Sequence, residues 1–159
     1  MTKLILHVAA LAVLLMGQLG VAAAAEKTPV SHEGDARDGT FKTVQGDVTV
    51  VRENTRVAAI VGGPLRSTDR IQTGAESATS VVLKDGTVLS VGANTVVDLS
   101  TFRFDPTTED GNVLVNLMRG TMRMTTGLIA KVKPEQVKVV TPTTVIGVRG
   151  TDFIVEATP

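Results

Sequence analysis

From Phe41 onward, no stretch places apolar residues at the i, i+3, i+4, i+7 spacing of an amphipathic helix. Val, Ile and Thr dominate instead, and Gly, Pro and Asp-Gly cut the chain at short intervals. β-Branched side chains lose rotamer freedom in a helix and fit a pleated surface. The pattern predicts an all-β class: one small domain of short strands. Residues 41–52 read as a first strand with a bend at Gly46-Asp47, and further strands are expected over 57–61, 65–73, 77–84 and 87–91. Later strands are expected over 95–99, 101–104, 113–117, 121–125, 137–140, 144–148 and 151–155. Residues 105–111 form a polar loop, and Pro134 breaks the stretch 128–136.

Asp85-Gly86 is the strongest local signal, since Asp-Gly suits a two-residue type I′ turn. That turn sets Leu83 opposite Val88 and Val82 opposite Leu89, so both faces of the hairpin are partly apolar. Such a hairpin predicts a sheet covered on both sides, or a compact solenoid. Gly-Thr recurs at 86–87, 120–121 and 150–151, each time before a β-rich segment. The intervals, 34 and 30 residues, fit stacked β-repeats, and glycine turns of an antiparallel sandwich fit equally. Both architectures, β-solenoid-like and β-sandwich, stay open. Gly86 and Gly150 are expected at positions where a Cβ is strained.

Lys3, the apolar run 4–21 and the alanines 22–25 read as a secretory signal peptide over residues 1–25. An uncleaved anchor helix is the alternative. Residues 26–40 are polar, rich in breakers, and read as a flexible leader to a domain over 41–157. No second apolar run approaches the roughly 20 residues of a membrane span. The expected location is therefore periplasmic or secreted, with no membrane span after cleavage. The chain has no cysteine, which excludes disulfides, thiolate metal sites and a lipidated N-terminal Cys.

Catalytic chemistry is hard to assemble. Past residue 25 the only histidine is His32, in the leader, so neither a Ser-His-Asp set nor a His-based zinc site has its parts. Trp and Tyr are absent, which removes the usual stacking platforms for sugars and single-stranded nucleic acid. Asp98, Asp105, Glu109, Asp110 and Asp152 are candidate acids by type alone; Asp85 is explained by its turn. Asp105, Glu109 and Asp110 read as a solvated loop, and their spacing matches no twelve-residue calcium loop. Loss of Lys3 leaves the chain near neutrality, so no nucleic-acid partner is expected. Arg119, Arg123, Arg149 and Lys138 are a candidate basic face for a polymer or small anion. The chain is expected to be no enzyme, to need no cofactor or metal, and to act by binding.

Several short motifs follow in order. They are Gly46-Asp47-Val48, residues 65–74 (Leu-Arg-Ser-Thr-Asp-Arg-Ile-Gln-Thr-Gly, with Asp69 and Gly74), and residues 83–89 around Asp85-Gly86. Arg119-Gly120-Thr121, Thr141-Pro142 and Arg149-Gly150-Thr151 complete the set. Together they resemble FecR-type domains, the periplasmic modules of iron-dicitrate-type signalling regulators, over residues 44–155. The resemblance implies a non-catalytic exported interaction module of the cell envelope with a protein partner. Regulators of that type carry a sigma-factor-binding segment and a membrane span, and here only Met1-Thr2-Lys3 precedes the apolar run, so a standalone version is expected. Thr68 stands where the family has Gly, so that turn is expected to differ.

Overall fold

The computed structural model describes residues 37–149 and 152–158. The predicted signal peptide, most of the leader and Gly150-Thr151 lie outside them. The strands make one curled, mainly antiparallel sheet, a half-barrel, and the all-β expectation holds.

In chain order the first strands are β1 (Gly39–Gln45), β2 (Val48–Arg52), β3 (Thr55–Ala58), β4 (Pro64–Leu65) and β5 (Arg70–Thr73). Next come β6 (Ala78–Leu83), β7 (Val88–Val91), β8 (Val96–Phe104) and the long β9 (Gly111–Thr125). A short helix α1 (Leu128–Val132) and a 3₁₀ turn at Pro134–Gln136 precede β10 (Val137–Val140), β11 (Val145–Gly147) and β12 (Asp152–Ala157). Hydrogen-bonded order is β3-β2-β5-β8-β9-β7-β6-β1-β4, with β10 and β12 also pairing β9, and β11 pairing β10.

The leader was expected to run to residue 40, but the fold begins earlier. Gly39 and Thr40 belong to β1. The Asp38 carboxylate accepts from the Ser67 N–H (2.6 Å) and hydroxyl (2.7 Å), and the Asp38 N–H donates to the Leu65 carbonyl (2.8 Å). Backbone pairing, which polar composition does not reveal, decides this boundary.

The β6–β7 hairpin departs from expectation by one residue. Val82 faces Val88 and Val81 faces Leu89. Gly86 has φ +86° while Asp85 does not enter the positive-φ region, so a type I′ turn is excluded. The Gly86 N–H donates to the Leu83 carbonyl (3.0 Å), and the Leu83 N–H to that of Thr87 (2.8 Å). This is a three-residue loop with Gly86 as its left-handed residue. A one-residue slip exchanges the faces. In the true register Val81, Leu83, Leu89 and Val91 all point inward, and Ser80, Val82, Val88 and Ser90 point outward, half-buried. The sheet thus covers one face, and the doubly apolar hairpin came from the wrong register.

The strands that follow Gly86-Thr87 and Gly120-Thr121, and β12 beyond Gly150-Thr151, do lie side by side. Val88–Val91 pairs with residues 122–125, which pair in turn with Asp152–Val155. Both pairings are antiparallel, whereas stacked solenoid coils need parallel ones. β10 beside β9 is a parallel pair.

Residues 113–125, expected as two strands, belong to one strand that serves two parts of the sheet. Its first part pairs β8 and β10; from Gly120 on, it pairs β7 and β12. The turn at Gly120 has φ +90°. Gly46, with φ +69°, makes the corresponding corner between β1 and β2. Inside the curl, Phe41, Ile71, Leu89, Leu99, Leu117, Met122, Met124 and Ile129 are buried in one cluster. Each such side chain contributes about 1.5–3 kcal/mol.

Candidate functional site

The residues singled out from sequence fall into two groups: buried fasteners of turns, and exposed edges. Asp69 is fully buried just before β5. Its carboxylate takes Arg52 from β2 in a two-pronged pair, Nε to Oδ1 at 2.8 Å and Nη2 to Oδ2 at 2.6 Å. The Arg66 N–H also donates to Oδ2 at 2.8 Å. The Arg52 hydrogen bonds to Asp69 push the Arg52 pKa further up. Arg52 reaches the Pro64 carbonyl as well, so one side chain ties β2, β4 and the turn before β5. With three hydrogen bonds to its two oxygens, the buried carboxylate serves as the fastener of this turn.

The turn preceding Asp69 was expected to differ because Thr68 replaces Gly. Thr68 instead adopts φ +74°, the left-handed conformation Gly would take. Its N–H donates to the Leu99 carbonyl at 2.7 Å, and the Leu99 N–H returns to Asp69 at 3.0 Å. Pairing with β8 holds a β-branched residue where it is strained.

Asp85 is buried too. It accepts from the Thr87 N–H (3.0 Å) and hydroxyl (2.8 Å), and Thr87 Oγ1 accepts from the Gly127 N–H (3.0 Å). The Leu128 N–H closes onto the Asp85 carbonyl at 2.8 Å. A Cβ on Gly127 would overlap the hairpin backbone, so only glycine lets the start of α1 sit on this turn.

The two corners use buried hydroxyls. At Gly46, Ser77 Oγ accepts from the Asp47 N–H (2.8 Å), and the Gly74 N–H donates to the Asp47 carbonyl (2.9 Å). At Gly120, Thr95 Oγ1 accepts from the Thr121 N–H (3.0 Å), and the Thr95 N–H donates to Thr73 Oγ1 (2.9 Å). Arg52, Thr73, Ser77, Thr95 and Gly127 were missed from sequence. Thr73 alone had a signal, standing beside Gly74 in the motif.

The remaining candidates lie outside. Thr141 and Thr144 close the β10–β11 turn around exposed Pro142, N–H to carbonyl at 2.8 Å. Arg149 is exposed and, with Ile146, Phe153 and Ile154, lines a cleft of about 330 Å³. Gly150 and Thr151 lie outside the described residues. The four cations do not make one free basic patch. Arg123 is paired with Asp152, and Arg119 shares a shallow cleft with Glu156. Lys138 is exposed on β10.

Asp105, Asp110, Lys133, Arg103, Asn112 and Gln136 line an open polar cleft of about 540 Å³. Asp105 accepts from the Thr107 and Thr108 N–H groups, and Asp110 from Lys133 Nζ (2.7 Å) and the Gly111 N–H (2.7 Å). Both carboxyls are held below the ordinary range, Asp105 chiefly by the Thr107 backbone and Asp110 chiefly by Lys133. Asp98, on β8, is paired with Arg70. Among the described residues no three His, Cys, Asp or Glu side chains converge on a metal position.

The sheet also leaves edges open. β3 pairs only β2 among the described residues, and all four of its residues are exposed. β12, among the described residues, pairs only β9, with Ile154 67% exposed.

This set of motifs, folded as fasteners of a curled sheet, has a counterpart. The family described as FecR protein matches residues 69–159, more than half of the chain. The chain belongs to the FecR family. The matched span opens at the buried Asp69 and takes in Asp85-Gly86 and Gly120, so the family's pattern covers the hairpin clasp and one of the two corners. Gly46 precedes it. No curated protein and no solved structure matches the chain. The FecR family is regulatory and non-enzymatic, and its domains are periplasmic in regulators. No helix among the described residues is long and apolar enough to cross a membrane.

Proposed function

We propose that the protein is a non-catalytic, exported interaction module of the cell envelope that captures a protein partner along a free edge of its sheet. The observation that carries this is the contrast between polar groups and edges. The buried carboxylates Asp69 and Asp85 are consumed by turns, while β3 and β12 offer backbone groups with no partner strand among the described residues. A free edge is a template for another strand. Export rests on residues 1–25 acting as a signal peptide, with the mature chain beginning near Glu26 and working in the periplasm.

Cross-linked capture from envelope extracts tests the function. One dominant protein should be recovered, little affected by salt, and lost when the edges are blocked by proline. Recovery that collapses at high salt would favour an anionic polymer instead. A hydrolytic activity of the purified protein, lost on substitution of one carboxylate, would overturn the non-catalytic reading. Fractionation that finds only full-length chain in the inner membrane would defeat cleavage.

A further inference from the structure

The edge of β3 has a definite chemistry. The Ala59 N–H donates to the Val48 carbonyl at 2.8 Å, directly opposite it in the β2–β3 ladder. Hydrogen-bonded pairs alternate in an antiparallel ladder, so Thr55 and Val57 also spend their backbone groups on β2. Arg56 and Ala58 therefore turn their N–H and C=O groups toward the open side. The side chains divide as well. Val57 lies opposite Val50, a core residue, yet is 46% exposed, so the core face is uncovered at this edge. Arg56 lies on the other face, and no ion pair engages it among the described residues. Glu53, at the preceding turn, does not pair with it. Ile60 and Val61, 67% and 63% exposed, extend the apolar surface past the end of β3.

We propose that β3 is the partner-binding edge, and that it takes an extended segment alternating acidic and β-branched apolar residues. This rests on the interaction-module reading and names the partner's chemistry. An acid on the Arg56 face supplies the missing counter-charge, and an apolar residue opposite Val57 completes the core face. A second copy fits worse. Two antiparallel β3 strands joined through Arg56 and Ala58 would put both Arg56 side chains on one face, opposite or diagonal, with no acid between them.

Fluorescein-labelled peptides Val-Glu-Val-Glu-Val-Glu-Val and Val-Lys-Val-Lys-Val-Lys-Val test this by anisotropy against the purified protein. The acidic peptide should bind about tenfold or more tighter than the basic one. Ala58→Pro removes an outward N–H while sparing the β2 ladder, and should weaken binding at least about tenfold with an unchanged circular dichroism spectrum. Arg56→Glu should reverse the preference without touching any backbone group. Equal binding of both peptides, or no binding, overturns the assignment. So does concentration-dependent self-association that Ala58→Pro abolishes, since a second copy would then own the edge. If Ile154→Pro in β12 removes binding and Ala58→Pro does not, the interaction module stands and β3 falls.

Discussion

The corners at Gly46 and Gly120 are built alike and stabilised unequally. Each has a glycine at positive φ, and at each the next residue's N–H donates to a buried hydroxyl that occupies the space of the missing Cβ. At Gly46 that hydroxyl is the buried Ser77; the bonded residue, Asp47, is exposed, as Thr121 is at the other corner. At Gly120 it is Thr95, fully buried and bonded in turn to Thr73. The first corner ends a strand and the second bends one that continues. A chain can leave a sheet with water to help satisfy its backbone, whereas a strand that bends inside the sheet needs every group met by protein.

The largest effect should come from replacing the glycines. Gly120→Val would drive a Cβ into the Thr95 hydroxyl and backbone at φ +90°, and should cost about 3 kcal/mol or more. Gly46→Val meets Ser77 and the Glu76 carbonyl at an exposed bend, and should cost about 2 kcal/mol. Urea melts of the two variants rank the corners, and equal losses would erase the difference between them.

The hydroxyls sharpen the ranking. Thr95→Val leaves the Thr121 N–H without its acceptor and should cost about 2 kcal/mol. Ser77→Ala exposes the Asp47 N–H to water and should cost about 0.5–1 kcal/mol. A larger loss for Ser77→Ala in the same melts would show that water does not reach the first corner.

Thr68 is another left-handed position, with a side chain where the corners have none. Thr68→Gly should raise stability by about 1 kcal/mol, as relieved strain exceeds the added freedom of the unfolded chain. A lower melting temperature would mean that the threonine side chain contributes more than its backbone costs.

Acid should produce the smallest change, and away from both corners. Asp105, Asp110 and Asp152 have lowered pKa values, set first by the Thr107 backbone, by Lys133 and by Arg123 respectively. A depressed carboxylate stabilises the fold above its unfolded pKa, about 4, and that contribution is lost as pH falls through the folded value. Stability should therefore be flat from neutral pH down to about 5 and decline below 4. The loop acids Asp105, Glu109 and Asp110 are exposed, so replacing them together should leave the neutral-pH melt almost unmoved.

What could be read in advance was local. The all-β class follows from β-branched composition, and the bend at Gly46-Asp47 from the glycine itself. The hairpin at Asp85-Gly86 was found but its register was not, because Asp-Gly suits two loop lengths and only φ at Asp85 separates them. The single strand β9 was hidden because Gly120 reads as a turn until Thr95, from a distant segment, is seen to receive it. Asp69 was read as part of a motif and Asp85 as part of a turn, and neither position signals burial in the sequence. Their burial depends on Arg52, seventeen residues away, and on Gly127, which closes over the hairpin from beyond β9. The free edge of β3 was legible only as a general property of sheets, since which strand ends unpaired is decided by the whole topology.

β9 borders β7, β8, β10 and β12, so this one strand joins four others. No subset of strands can close the core without it, and it cannot be satisfied without strands from both ends of the domain. Folding should then be all-or-none and, because distant pairings dominate, fall in the millisecond-to-second range. Strands β1 to β8 therefore stay unfinished until β9 is in place. In hydrogen exchange the β9 amides should open only with the whole molecule, while those of β3 exchange first, from the folded state.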